Sequence, residues 1–254
     1  MDKQIKNPVL LKLGGSVLSI KEKPLIPDNE TISRLAGEIA ASGVGSLLLI
    51  HGGVSFGHPV AHTYKIKEGY SDPAQLIGFS KTRQAMSILN NLVIDALITK
   101  NIPAVAVQPS AYIITENGII QYPNFDSVGK MLNLGFMPVL YGDAVFDSKL
   151  GFTILSGDQL ISVLSGYFDA KKIILGVDVD GLYTSDPKTN PDATLIKEIK
   201  LDELKMMLSK IGKSGLTDVT GGMYGKMMEM ISALEKGATV IIVNASKPGR
   251  VFRA

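Results

Sequence analysis

Short apolar runs recur along this 254-residue chain, and segments with helical spacing separate them. The runs occupy residues 9–13, 47–50, 104–107, 137–141, 172–177 and 239–243. The helical segments occupy residues 31–41, 74–100, 158–167 and 223–236. Buried strands that alternate with amphipathic helices are typical of a mainly parallel sheet covered on both faces. The sequence therefore predicts an α/β fold, a three-layer αβα sandwich with a mainly parallel central sheet.

The chain has no linker-like segment, so we expect a single domain over residues 1–254. Asn117-Gly118 stands between two apolar segments, 112–115 and 119–122, and predicts a hairpin that forms a small antiparallel appendage. Residues 181–191 are rich in Pro, Asp and Asn, which predicts an exposed loop.

Charge and composition exclude several kinds of partner. The formal net charge is +2 and no basic run occurs, so we expect neither a nucleic-acid nor a membrane partner. The first eight residues are polar, no apolar run is long enough to span a bilayer, and cysteine is absent. These features predict a soluble, cytoplasmic protein.

Glycine turns follow several of the predicted strands, at the edge where α/β sheets bind ligands. They are Gly14-Gly15, Gly52-Gly53, Gly142-Asp143 and the segment Asp178-Val179-Asp180-Gly181. Glycines let backbone N–H groups approach an oxyanion, phosphate above all. Two such turns with lysines nearby indicate two bound phosphates, one that donates a phosphoryl group and one that accepts it. This points to a kinase.

Three lysines could serve phosphate binding, and each has a simpler interpretation. Lys12 lies within an apolar strand and needs a counter-charge, either an internal aspartate or a bound triphosphate. Lys21 lies in a polar loop and could be a solvated surface residue. Lys226 follows Gly222 near the start of a predicted helix, which is either an anion-binding terminus or only a helix cap.

The three histidines are expected to differ in role. His51 comes directly off a strand and suits a hydrogen-bonded structural position, whereas His62 suits the surface. His58 stands beyond the glycine turn, where an anionic substrate could reach it. No carboxylate has ligand spacing to these histidines, so we expect no protein metal site.

Taken in order, several motifs resemble the amino acid kinase superfamily over nearly the whole chain. Within it, the segment 55–59 and the placement of Lys21 are similar to the isopentenyl phosphate kinase family. The superfamily motifs are Lys12-Leu13-Gly14-Gly15-Ser16, His51-Gly52-Gly53, Gly142-Asp143, Ser156-Gly157-Asp158, Asp178-Val179-Asp180-Gly181 and Asp218-Val219-Thr220-Gly221-Gly222-Met223.

This resemblance implies phosphorylation of isopentenyl phosphate by ATP with Mg²⁺, in a homodimer of the isoprenoid pathway. It divides the chain into an acceptor-binding half, about 1–168, and a nucleotide-binding half, about 169–254. The residues that it places around the nucleotide are Lys12, Gly14, Gly15, Ser16, Val54, Asp178, Tyr183, Asp186, Lys188, Gly222 and Lys226. The acceptor residues are Gly53, His58 and Gly157 at the phosphate, and Phe79, Thr82 and Met86 at the prenyl tail.

The resemblance assigns catalysis to Lys12, Lys21, His58 and Lys226. A phosphate acceptor is already anionic at neutral pH, so no strong base is needed and catalysis reduces to alignment and charge neutralisation. A nearby dianion favours protonation of histidine, so we expect His58 to bind phosphate rather than to abstract a proton.

Two features depart from the superfamily pattern. Val54 stands where a third glycine is usual, and its β-branched side chain disfavours a positive φ; Val177 stands where threonine is usual. Two alternatives remain open: a kinase of the same fold with another small anionic acceptor such as fosfomycin, and a non-catalytic nucleotide-binding protein.

Overall fold

A computed structural model describes residues 7–20, 23–121, 123–185, 187, 190–213 and 222–254. Its strands are β1 Val9–Leu13, β2 Leu47–His51, β3 Ala104–Ala106, β4 Ile114–Glu116, β5 Ile119–Gln121, β6 Met137–Tyr141, β7 Asp143–Asp147, β8 Gly151–Leu155, β9 Lys172–Val177, β10 Leu182–Tyr183, β11 Leu195–Ile196 and β12 Thr239–Asn244. Its helices are α1 Gly15–Leu18, α2 Asn29–Ser42, α3 Gly57–Thr63, α4 Ala74–Thr99, α5 Asp126–Asn133, α6 Gly157–Tyr167, α7 Leu201–Lys213, α8 Met223–Glu235 and α9 Arg250–Arg253.

The central sheet has the strand order β12-β9-β1-β2-β6-β3, and every neighbouring pair is parallel. Successive side chains of a strand point to opposite faces, so Leu10 and Leu11 belong to separate cores. One core contains the buried faces of α5 to α8, and the other contains those of α2, α4 and α9. The predicted three-layer sandwich is therefore confirmed.

Local capping explains where two of these helices begin and end. The Asp28 carboxylate accepts a hydrogen bond from the Thr31 amide (2.9 Å) and starts α2, which ends at Gly43 with a φ of 63°. The Ser156 hydroxyl accepts one from the Gln159 amide (3.1 Å) and starts α6. This cap fixes Gly157 and Asp158 directly after β8, at the edge of the central sheet.

The predicted hairpin is larger than an appendage, since β4 and β5 belong to a four-stranded sheet with the order β5-β4-β7-β8. Asp147 at the end of β7 organises the hairpin turn. Its carboxylate accepts hydrogen bonds from the amides of Asn117 (3.2 Å), Gly118 (2.8 Å), Lys149 (2.8 Å) and Leu150 (2.8 Å), and from the Thr115 hydroxyl (2.7 Å). The sequence prediction missed the other two strands of this sheet, β7 and β8.

The loop predicted for residues 181–191 also needs correction, because its start is a strand. Leu182 and Tyr183 form β10, which pairs with β11 in an antiparallel ribbon. The backbone hydrogen bond from the Thr184 amide to the Thr194 carbonyl (3.0 Å) continues this ribbon.

A carboxylate on α2 anchors the segment after β12. Glu38 accepts hydrogen bonds from the amides of Gly249 (2.8 Å), Val251 (3.1 Å) and Phe252 (3.2 Å). Arg34, one turn earlier, donates to the Ala245 carbonyl (2.7 Å). Within the described ranges, no helix has the length and apolarity needed to cross a bilayer.

Candidate active site

A cavity of about 420 Å³ opens at the carboxyl edge of the central sheet. The turns after β1, β2, β6 and β9 line it, together with the first residues of α6 and of α8. Sequence analysis placed its glycine turns at this edge, and the structure brings them around one cavity.

The first two glycine turns touch each other through their backbones. Gly52 donates to the Leu13 carbonyl (3.0 Å), and Gly14 donates to the Gly176 carbonyl (2.8 Å). A Cβ atom on Gly15 would lie 2.7 Å from the Gly53 nitrogen, which is too close for any side chain. The turns therefore bring main-chain N–H groups together with no side chain between them, an arrangement that suits anions.

Lys12 has an internal aspartate as its counter-charge, one of the two that the sequence allowed, and it also lies at the cavity. It is 6% exposed, its ammonium forms an ion pair with Asp158, and it also lines the cavity. Burial lowers the pKa of Lys12, and the Asp158 carboxylate acts in the opposite direction. Asp158 lies in one of the sequence motifs but was not among the predicted site residues, although the need of Lys12 for a counter-charge indicated such a partner.

The first turns of α8 carry a second pair of charges. Lys226 lines the cavity, and its ammonium donates to the Gly222 carbonyl (3.4 Å) at the N-cap of the helix. Glu229 follows three residues later, on the same helical face. Burial and the nearby Asp158 raise the pKa of Glu229, so this side chain, which sequence analysis missed, faces the Lys12–Asp158 pair.

His51 has the structural role that was predicted. Its ring is fully buried, with Nε2 3.0 Å from Asn90 Oδ1 and Nδ1 3.0 Å from the Gly52 carbonyl oxygen. The ring also stacks on Tyr141 with 5.5 Å between centroids. His62 is exposed, also as expected.

His58 lies in the first turn of α3 and lines the cavity. Burial lowers the pKa of His58, and the positive charge of Lys67 lowers it further. The surrounding protein therefore opposes protonation, and a bound dianion would have to outweigh that effect.

Two of the three residues predicted to contact the acceptor tail do line the cavity, Thr82 and Met86 on α4. Phe79 is not among these lining residues, so its contact with the acceptor tail stays a prediction. It is 8% exposed, and its ring packs against Phe146 and Phe152 with centroids 5.2 Å and 5.3 Å away. It supports α4 from behind the cavity wall.

Asp143 is a buried carboxylate in this wall that was predicted only as part of a turn. It is 2% exposed and accepts hydrogen bonds from the amides of Ser110 (3.3 Å) and Ala144 (2.9 Å). The Arg83 Nε atom lies 4.0 Å from its Oδ2 atom. Burial nevertheless raises the pKa of Asp143.

On the opposite side, Asp178 and Tyr183 line the cavity. Asp180 accepts two hydrogen bonds from Lys247 (2.7 and 2.9 Å) and one from Asn244 (3.1 Å), which join the ends of β9 and β12. Val54 has a negative φ and lines the cavity, so valine causes no backbone strain there.

The other predicted residues divide in two groups. Gly14, Gly15, Ser16, Gly53 and Gly157 all line the cavity, and Gly222 caps α8 with a φ of 78°. Lys21, Asp186 and Lys188 lie outside the described residues. Across the part of the chain that is described, no group of three or more His, Asp or Glu side chains could hold a metal ion.

The fold is an αβα sandwich with abutting glycine turns. Its lysines, one in a strand and one at a helix start, complete a combination suited to phosphate groups. The sequence profile of the amino acid kinase family matches residues 7–244. The chain belongs to the amino acid kinase family.

Individual relatives within that family carry a more specific name. An isopentenyl phosphate kinase of Methanothermobacter thermautotrophicus is 42% identical, over 97% of this chain and 94% of its own length. One of Methanocaldococcus jannaschii is 34% identical, over 96% and 94%. A crystal structure of isopentenyl phosphate kinase superposes with a TM-score of 0.85 at 38% identity, over 97% of this chain and 95% of that one.

Proposed function

We propose that this protein transfers the γ-phosphoryl group of ATP to isopentenyl phosphate, giving isopentenyl diphosphate and ADP. The observation that carries the proposal is the cavity at the two abutting glycine turns, which His58, Lys12 and Lys226 also line. The near full-length identity to isopentenyl phosphate kinases supports the choice of acceptor.

In this proposal one cavity holds both substrates. The ATP phosphates lie along Gly14, Gly15 and Ser16, and the nucleoside extends toward Asp178 and Tyr183. The acceptor phosphate lies against Gly53, His58 and Gly157, with its apolar tail toward Thr82 and Met86. All of these residues line one cavity, which supports their joint use.

Phosphoryl transfer needs alignment and charge neutralisation rather than a strong base. Lys12 and Lys226 stabilise the negative charge that the transferred group spreads over its oxygens. Mg²⁺ enters with ATP as part of the substrate. Asp158 holds the Lys12 ammonium at the cavity through their ion pair, which keeps a buried cation hydrogen-bonded and oriented.

The test is an ADP-release assay with Mg·ATP and a panel of acceptors: isopentenyl phosphate, dimethylallyl phosphate, fosfomycin, glutamate and UMP. We expect turnover with isopentenyl phosphate, alone or with dimethylallyl phosphate. Turnover with fosfomycin, glutamate or UMP only would keep the chemistry and overturn the acceptor. ATP binding without any turnover would favour the non-catalytic alternative.

The His58→Ala variant tests the acceptor side of the assignment. A hydrogen bond to a charged group contributes roughly 1.5–3 kcal/mol, so we expect the KM for isopentenyl phosphate to rise about 10-fold to 100-fold. The KM for ATP should change little. His62→Ala is the matched control, because His62 lies on the same helix and is exposed. An unchanged acceptor KM in His58→Ala contradicts the assignment.

A further inference from the structure

The acceptor side of the cavity contains a pair of opposite charges that the proposed mechanism does not use. Asp143 begins β7 and lines the cavity. Its partner across the sheet is Leu155 on β8, which lines the cavity together with Ile154. Arg83 follows Thr82 on α4, and Thr82 is one of the residues proposed to contact the acceptor tail. The two charges therefore lie next to the apolar residues of this wall.

The backbone fixes the Asp143 carboxylate in place. Its Oδ1 atom accepts a hydrogen bond from the Ala144 amide (2.9 Å), and its Oδ2 atom accepts one from the Ser110 amide (3.3 Å). The side chain is almost completely buried. A carboxylate has about four acceptor positions, so these bonds orient the group and still leave room for a donor from a ligand.

Arg83 supplies the charge that balances this carboxylate. Its Nε atom lies 4.0 Å from Asp143 Oδ2, and Asp143 is the only carboxylate at ion-pair distance from Arg83 in the described part of the chain. That separation is too long for a hydrogen bond, and the buried Nε atom has no hydrogen-bond partner among the described residues. The guanidinium therefore acts on Asp143 through its charge, and its Cζ atom lies 6.0 Å from the centre of the Phe79 ring.

The balance of these two charges decides which ligand tails the wall favours. An unpaired buried carboxylate attracts a cation strongly, because it lacks the water that would otherwise stabilise it. A guanidinium beside it removes most of that attraction and repels a second cation. An ammonium group would then lose its hydration with little in return, whereas an apolar tail has no hydration of that kind to lose.

We propose that Arg83 is a specificity-determining residue, which balances the charge of Asp143 so that the cavity accepts phosphates with apolar tails and rejects phosphates whose tail carries an ammonium group. This inference rests on the proposed function for the placement of the acceptor tail on this side of the cavity. Arg83 acts through Asp143, so its removal should change the choice of acceptor rather than the transfer step.

The experiment compares two ligands of nearly equal size, n-butyl phosphate and 3-aminopropyl phosphate, by calorimetric titration. They differ only in a terminal methyl or ammonium group, so any effect on the shared phosphate cancels in the ratio of their Kd values. We expect the parent protein to prefer n-butyl phosphate. In Arg83→Met the ratio should shift about 10-fold toward 3-aminopropyl phosphate, the size of effect given by one hydrogen bond to a charged group. Arg83→Gln should shift it in the same direction.

Three further variants separate this effect from a general loss of structure. Arg83→Lys keeps the positive charge and should keep the parental ratio. The double variant Arg83→Met/Asp143→Asn removes both charges and should lose the gain in ammonium binding. Lys81→Met is the matched control, because Lys81 is an exposed lysine on the same helix whose ammonium lies 3.4 Å from the Tyr64 hydroxyl. Its ratio should equal that of the parent protein.

The proposal is overturned if neither Arg83→Met nor Arg83→Gln changes the ratio, or if the change persists in the double variant. An unchanged ratio in an enzyme that phosphorylates isopentenyl phosphate would refute the role of Arg83 and leave the proposed function in place. A ratio that depends on Arg83, in a protein inactive toward isopentenyl phosphate, would refute the proposed acceptor and support the selection by charge.

Discussion

Lys226, which the proposed mechanism uses to stabilise the transferred phosphoryl group, makes few contacts that would stabilise the fold. It is only partly buried, and its hydrogen bond to the Gly222 carbonyl is long, at 3.4 Å. Such a side chain contributes little to folding, so its replacement tests catalysis without a large structural effect.

We expect Lys226→Ala to lower kcat about 100-fold, the usual cost of one group that stabilises charge in the transition state. The free energy of unfolding should stay within about 0.5 kcal/mol of the parent value. Steady-state kinetics at saturating substrates measures kcat, and urea denaturation measures the free energy of unfolding. Lys236→Ala, at the exposed far end of the same helix, should leave kcat unchanged. An unimpaired kcat in Lys226→Ala would remove this lysine from the mechanism.

At the scale of elements, the contact between the turns after β1 and β2 leaves no room for a side chain. A Cβ atom on Gly15 would come within 2.7 Å of the Gly53 nitrogen and 2.9 Å of the Gly52 carbonyl carbon. All of these neighbours are backbone atoms, so the clash can be relieved only by separating the turns.

We therefore expect Gly15→Ala to lower the free energy of unfolding by about 1–3 kcal/mol, the range for overpacking, and to weaken ATP binding strongly. Denaturation and calorimetric titration with ATP measure the two effects. Gly45→Ala is the control, since a Cβ there has nothing within 4 Å. If Gly15→Ala keeps the stability and the ATP affinity of the parent protein, neither property requires the close contact between the two turns.

The second sheet depends in the same way on one carboxylate, Asp147. Burial alone would raise the pKa of Asp147, but hydrogen bonds from the Gly118, Leu150 and Lys149 amides and the Thr115 hydroxyl lower it far below its usual value. A depressed carboxyl pKa stabilises the fold above the unfolded-state value of about 3.9, and the contribution is lost as the pH falls below it.

In Asp147→Asn we expect a loss of about 1–3 kcal/mol in the free energy of unfolding at pH 7, because a neutral amide cannot accept as many hydrogen bonds. The difference from the parent protein should shrink between about pH 4 and pH 3. Denaturation curves over this range are the measurement. Asp169→Asn removes an exposed carboxylate paired with Lys171 and should change little. A difference that does not vary with pH would exclude this explanation.

At the scale of the whole molecule, sequence periodicity predicted the central sheet because its strands are buried on both faces and read as continuous apolar runs. It missed β7 because that strand begins and ends with an aspartate, Asp143 and Asp147. The Ser110 and Gly118 amides that bond to these carboxylates are distant in sequence. Phe79 was predicted only as a residue at the acceptor tail, and the rings that it packs against, Phe146 and Phe152, are distant in sequence. The Lys12–Asp158 pair spans 146 positions, a distance over which local pattern carries no information.

The family resemblance predicts a homodimer, and α4 carries apolar side chains suited to a subunit contact. Leu76, Ile77 and Ile88 are each about half exposed on this helix. We expect light scattering coupled to size exclusion to give twice the chain mass at micromolar concentration. A monomer mass at every concentration would contradict the prediction.

The abutting glycine turns have a consequence for how such a protein can change. In the proposed function the phosphate groups contact main-chain atoms there, and a substitution can disrupt such a surface but cannot readily adjust it. In the proposed function, acceptor preference depends instead on side chains of α3, α4 and β8 that line the cavity. Evolution or protein engineering can therefore change the acceptor through substitutions in these three elements, while the glycine turns stay unchanged.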